Sequence, residues 1–169
     1  MRPAWTYCPT KKQRMSRAFV KEQDGDAGED LPELVVSPHR NLVTPDGLQQ
    51  LEARLRQLEA ELAAARDVDD RATIARIERD RRYWSRRRAS AECVPWPRPP
   101  IDQVRFGCLV TLEDAEGRRH AFRIVGEDEA DPSAGRVSWV SPMAEALLGA
   151  RIGESLGFRG GQAEIVAIA

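Results

Sequence analysis

The sequence predicts an α+β protein, and three observations carry that expectation. Leu48, Leu51, Leu55, Leu58 and Leu62 recur at spacings of 3, 4, 3 and 4, the period of one helix face pressed against another. Val94–Pro100 then holds four prolines in seven residues, which neither a helix interior nor a central strand accepts. Beyond it, short β-branched and apolar runs alternate with Gly- and Asp-containing turns, the pattern of a small sheet.

The helical part starts at Thr44-Pro45-Asp46-Gly47. Thr caps free N–H groups, Pro at the first helical position loses no bond, and Asp46 suits the positive end of the helix dipole. The leucine seam carries this helix to about Arg66, a length of about 33 Å. Asp67-Val68-Asp69-Asp70 is the turn. A second helix is expected from about Arg71 to Glu92, with Ile74, Ile77, Trp84 and Ala91 as its apolar positions. Arg81 and Arg88 fall where the seam calls for apolar residues. So short a loop makes the helices antiparallel neighbours. Without any function, these acids read as a solvated turn in which Asp69 or Asp70 caps the second helix.

Residues 71–88 contain eight arginines and two acids. Arg79, Arg82 and Arg86 share one face, with Tyr83 and Trp84 interleaved. Such a face is either solvated or a patch for phosphates, and arginine with aromatic neighbours suits the second. The whole chain, at net charge −1, shows no general pull toward nucleic acid.

Residues 1–40 read as a disordered tail, acidic over 23–30, and Met15 is as natural a beginning as Met1. Residues 41–94 form the hairpin, 95–100 a Pro-rich linker, and 101–169 a β-rich domain. In that domain Val104–Phe106 and Cys108–Leu112 read as strand around a Gly107 bulge. Arg119–Val125 returns after a turn at 114–117, and Arg136–Val140, Ser155–Phe158 and Ala163–Ile168 follow. Ser141-Pro142 opens a short helix over Met143–Leu148, giving one helix on an antiparallel sheet. Cys8, Cys93 and Cys108 lack C-x-x-C spacing and are expected as free thiols. His39 and His120 complete no Ser-His-Asp or Cys-His set. No signal-peptide core or membrane-length apolar run is present, so a cytoplasmic protein that is not itself an enzyme is expected.

Several runs resemble the GreA/GreB transcription elongation factors. Phe106-Gly107-Cys108-Leu109-Val110-Thr111-Leu112 is followed by Ile124-Val125-Gly126-Glu127-Asp128-Glu129-Ala130-Asp131. Then come Ser141-Pro142-Met143-Ala144-Glu145-Ala146-Leu147-Leu148-Gly149 and Ile152-Gly153-Glu154. Val43–Leu48 resembles the family's opening, and Arg119–Arg123 leans toward GreB. The resemblance covers roughly 43–169. It implies an antiparallel coiled-coil hairpin followed by an FKBP-like domain, and a monomer that binds bacterial RNA polymerase at its secondary channel. It further implies that acids at the hairpin tip, here Asp67, Asp70 and, in support, Asp69, help hold a Mg2+ ion of the polymerase active centre. The polymerase would then cleave the 3′ end of a backtracked transcript. Arg79, Arg82 and Arg86 would face the nascent RNA. Asp128, Glu129, Asp131, Ser141, Pro142 and Met143 would contact polymerase.

The tip departs from the family's Asp-x-x-Glu-Asn, since Asp70 is one methylene shorter than Glu and Arg71 stands for Asn. The hairpin is also shorter than the family's usual arm. Two functions therefore stay open: a factor that promotes transcript cleavage, and one that occupies the channel without stimulating it, as short-armed relatives such as Rnk are thought to do. A coiled-coil adaptor with no polymerase role is a third, and a prolyl isomerase a more distant one.

Overall fold

The computed structural model describes residues 31–169, so the expectations for Met15, the 23–30 run and Cys8 lie outside the described residues. Residues 31–40 have neither helix nor strand. The chain then runs β1 (Leu42–Val43), α1 (Pro45–Asp67), α2 (Arg71–Ala89), β2 (Glu92–Cys93), β3 (Leu109–Asp114) and β4 (Arg119–Val125). Two 3-10 turns, Glu127–Glu129 and Pro132–Ala134, lead to β5 (Arg136–Ser138), α3 (Pro142–Leu147), β6 (Ser155–Phe158) and β7 (Gly161–Ile168). The protein is α+β.

The leucine seam packs α1 on α2. Leu58 is fully buried against Ile77, with Leu62 and Ala65 beside them and Ile74 and Trp84 at the margin. Each such leucine contributes about 2 kcal/mol by leaving water. Leu48 and Leu55 are only half-buried, because the seam narrows where α2 presents side chains other than the expected ones. Arg81 is exposed, Arg88 reaches across the surface to Glu52 of α1 at 2.8 Å, and it is Arg87 that turns inward, 1% exposed.

The expected extension of α2 to Glu92 does not form. Asn41 Nδ2 donates to the Arg87 carbonyl at 2.7 Å, and the Glu92 N–H donates to the Asn41 carbonyl at 2.8 Å. Glu92–Cys93 therefore becomes β2, parallel to β1, and closes the base of the helical pair.

The sheet has the order β5-β4-β3-β7-β6. It is antiparallel except at β4–β5, which is parallel. The wholly antiparallel sheet expected from the sequence fails there because the two 3-10 turns carry the chain across instead of folding it straight back. Val110 and Leu112 of β3, Ile124 of β4 and Ile165 of β7 are fully buried under Ala144 and Leu147 of α3. Val104–Phe106 is not strand. Gly107 sits in a turn at φ +88°, where an added Cβ would lie 3.0 Å from Pro97 Cδ. The bulge falls between Thr111 and Leu112 instead.

The base of α1 is unusual. Glu129, 8% exposed, reaches the first turn of the helix. Its Oε1 accepts from the Thr44 N–H at 2.8 Å and the Gly126 N–H at 3.2 Å, and its Oε2 accepts from the Thr44 hydroxyl. The Thr44 oxygen in turn accepts from the Gly47 N–H at 2.9 Å. A Cβ on Gly47 would lie 2.0 Å from Glu129 Cδ, and one on Gly126 would lie 2.5 Å from the Leu42 carbonyl oxygen. Both glycines are there to admit the carboxylate. Gly47→Ala is expected to lower unfolding stability by about 1–3 kcal/mol through this overlap, despite alanine's better helix propensity. Urea denaturation showing unchanged or raised stability would refute that role.

Candidate functional site

The tip between α1 and α2 is built from overlapping helix ends. The Asp70 N–H donates to the Ala65 carbonyl at 3.1 Å and the Asp69 N–H to the Arg66 carbonyl at 3.2 Å. Those two bonds are a Schellman closure. Asp69 occupies its left-handed position, φ +51°, where Gly is commonest and Asp is tolerated. Asp70 then caps α2, its Oδ1 accepting from the Thr73 N–H at 3.1 Å. Hydrogen bonding from Thr73, its hydroxyl first and then this N–H, holds the Asp70 carboxyl below the usual carboxylate range.

Asp67, Val68, Asp69 and Asp70 are all exposed. Among the described residues, no hydrogen bond or ion pair engages the Asp67 or Asp69 side chain, and no group of three or more His, Cys, Asp or Glu is placed to hold a metal ion. Among the described residues, no hydrogen bond engages Asp70 Oδ2. Carboxylate oxygens are the ligand type that Mg2+ takes, and the three tip acids are not placed to hold one by themselves.

The arginine face is less uniform than its sequence. Arg79 folds back on Asp80 at 2.8 Å and is one-fifth exposed. Arg82 and Arg86 both meet Glu33, at 2.7 and 3.3 Å.

The residues expected on the docking surface divide. Asp131 caps the second 3-10 turn, taking the Ser133 hydroxyl and the N–H groups of Ser133 and Ala134. The Ser133 hydroxyl contributes most to holding its carboxyl low. Ser141 caps α3, accepting from the Ala144 N–H at 3.2 Å. Pro142 is exposed and Met143 rests partly on the sheet core. Asp128 and Glu129 are engaged internally. Glu129 is buried at the base of α1, so it holds the helix rather than facing a partner. Asp128 accepts from the Tyr83 hydroxyl at 3.0 Å and from Arg87 Nε at 2.5 Å, with Arg87 Nη2 3.6 Å from Glu127. Burial, and then the Asp128 charge, push the Tyr83 hydroxyl up to about 12.

Arg87 was not singled out by its sequence, being one of eight arginines on the helix. Its three-residue step from Trp84 was the available signal, since that places it on the inner face.

A two-helix arm with an acidic tip, joined at its base to a small α+β body, is the class of protein that these features define. The family model for the C-terminal part of the GreA/GreB transcription elongation factors matches residues 98–169. Transcription elongation factor GreA of Rhodospirillum rubrum is 33% identical over 133 residues, 68% of this chain and 85% of that protein. Transcription elongation factor GreB of Neisseria meningitidis is 33% identical over 136 residues, 69% of this chain and 83% of its own. Among solved structures, GreA factor homolog 1 (Gfh1) of Thermus thermophilus is 21% identical and covers 78% of this chain and 99% of its own, with a TM-score of 0.38. The chain belongs to the GreA/GreB family. Membership makes it an accessory factor rather than an enzyme.

Three substitutions separate structural roles here. Arg87→Ala leaves the part-buried Glu127 and Asp128 carboxylates without their cation and is expected to lower stability by about 2–3 kcal/mol in chemical denaturation; a loss below about 1 kcal/mol would contradict the role of Arg87 in holding α2 to the turn. Asp70→Ala should lower the melting temperature, while Asp70→Asn, an equally good cap, should not at neutral pH. The folded carboxyl lies below its unfolded value, so the charged cap stabilises above that value and the benefit is lost as pH falls through the folded one. Asp70→Asn should remove that acid-side loss, as thermal melts from neutral to strongly acidic pH will read.

Proposed function

We propose that this protein is a transcription elongation factor that binds bacterial RNA polymerase at its secondary channel and promotes cleavage of the 3′ end of backtracked transcripts. The helical pair is the coiled-coil arm of the family and the sheet its FKBP-like domain, with 41–94, 95–100 and 101–169 as arm, linker and body. The observation that carries the reading is the exposed acidic tip, set on an arm whose base is bonded to the body through Glu129 and Arg87. The longer helix of the arm, α1, has 23 residues and spans about 35 Å, and a rigid arm would present Asp67 and Asp70 Oδ2 at a fixed place. When bound, a Mg2+ ion shared with the polymerase would activate the attacking water and stabilise the leaving oxygen. Asp67 and Asp70 supply carboxylate oxygens, and Asp69 adds negative charge beside them. Arg82 and Arg86 offer guanidinium groups to the nascent RNA backbone, with Arg79 supporting from its pairing with Asp80. Asp131, Ser141, Pro142 and Met143 remain on the surface for polymerase contact. The protein acts as a monomer in the cytoplasm.

A second reading, occupation of the channel without cleavage, is favoured by one observation: Asp70 already uses Oδ1 as a helix cap. Backtracked elongation complexes distinguish the two. Wild type and Asp70→Asn are compared with Asp67→Ala/Asp70→Asn, which removes both charges and keeps the cap. Cleavage raised by wild type, reduced about tenfold or more in Asp70→Asn and abolished in the double variant is the expected result for a metal-sharing tip. No stimulation by wild type that still binds polymerase would replace the first reading with the second.

A further inference from the structure

The arginine face of α2 is already occupied. Glu33, from the segment ahead of β1, sets one carboxylate oxygen 2.7 Å from Arg82 Nε and the other 3.3 Å from Arg86 Nη1. One carboxylate spanning two guanidinium groups four residues apart makes the contacts that a phosphate would make with the same pair. The three side chains are 44–54% exposed, so the bridge lies in water and holds weakly.

The rest of the segment is fastened lightly too. Arg40 pairs with Glu92 on the surface, and the His39 ring meets Trp139 edge-on at 6.3 Å. Val35 is 90% exposed. Among the described residues, no backbone–backbone hydrogen bond ties 31–40 to the remainder of the protein.

We infer that Glu33 is an in-chain stand-in for a nucleic-acid phosphate, and that residues 31–40 hold Arg82 and Arg86 until single-stranded RNA displaces them. The inference rests on the reading of those arginines as RNA-facing. It adds a limit to that reading, because each phosphate that binds the pair must first release Glu33. A half-exposed bridge suits such an exchange. A buried pair such as Arg87 with Asp128 would not, since separating it strands charges out of water. The competition is electrostatic on both sides and therefore weakens with salt.

The test is fluorescence anisotropy of a labelled single-stranded RNA oligonucleotide titrated with the full chain at low salt. Glu33→Gln keeps the side-chain shape and removes its charge. It is expected to tighten RNA binding about two- to fivefold, and Arg82→Ala/Arg86→Ala to weaken it. Glu33→Gln added to the double arginine variant should change nothing further. If the double arginine variant binds RNA like wild type, the arginine face is not the RNA surface, and the inference falls with that reading. If the double variant weakens binding but Glu33→Gln leaves wild-type affinity unchanged, the face binds RNA and Glu33 does not compete for it. That second result overturns the inference alone.

Discussion

Three consecutive acids on one 3-10 turn hold both helices of the arm. Glu127 and Asp128 face Arg87 of α2, and Glu129 reaches the first turn of α1. The Glu129 carboxylate lies at the positive end of the α1 dipole and satisfies N–H groups that every helix leaves open at its start. Without this turn, the base of the arm would rest on β1 and β2, two residues each, and a ladder that short is marginal by itself.

Leucine and charge divide the work. Apolar packing from Leu51 to Ala65 keeps α1 and α2 together, but it is non-directional. Fixing the pair on the sheet needs directional bonds, and these are concentrated where the apolar seam gives way to Arg87 and Tyr83. Buried ion pairs add little net stability over apolar packing of equal volume, because desolvation offsets their attraction. Their effect here is on geometry: a guanidinium bonded to one carboxylate and facing a second, 3.6 Å away, has few alternative placements. Under the function proposed above, an arm that presents its tip at a fixed place requires that restriction more than it requires additional stability.

Much of this was legible in the sequence, and the failures have a common cause. The Thr-Pro-Asp-Gly start, the leucine seam and the turn at 67–70 depend on local chemistry, and all three form where expected. So does the β3–β4 turn over 114–117. What depends on contacts distant in sequence was misread. Glu129 was expected among surface contacts with polymerase, and only its neighbour Gly47, some eighty residues earlier, reveals that it is buried. Gly47 was itself a clue, since a glycine in the first turn of an otherwise strong helix costs about 1 kcal/mol without a compensating contact. The parallel β4–β5 pair and the early end of α2 likewise depend on neighbours that periodicity does not report.

The tip acids are not equivalent once their folding roles are separated. Asp69 tolerates a left-handed backbone that most side chains resist, and Asp70 caps α2. Both have structural reasons to be there. Asp67 has none of that kind. It ends α1, where the helix dipole is negative and an acid is electrostatically disfavoured, and no described residue pairs with its side chain. An acid kept where folding does not favour it is the better bearer of a function than one that folding already explains. Under the function proposed above, Asp67, more than Asp70, is the tip acid whose presence folding does not explain.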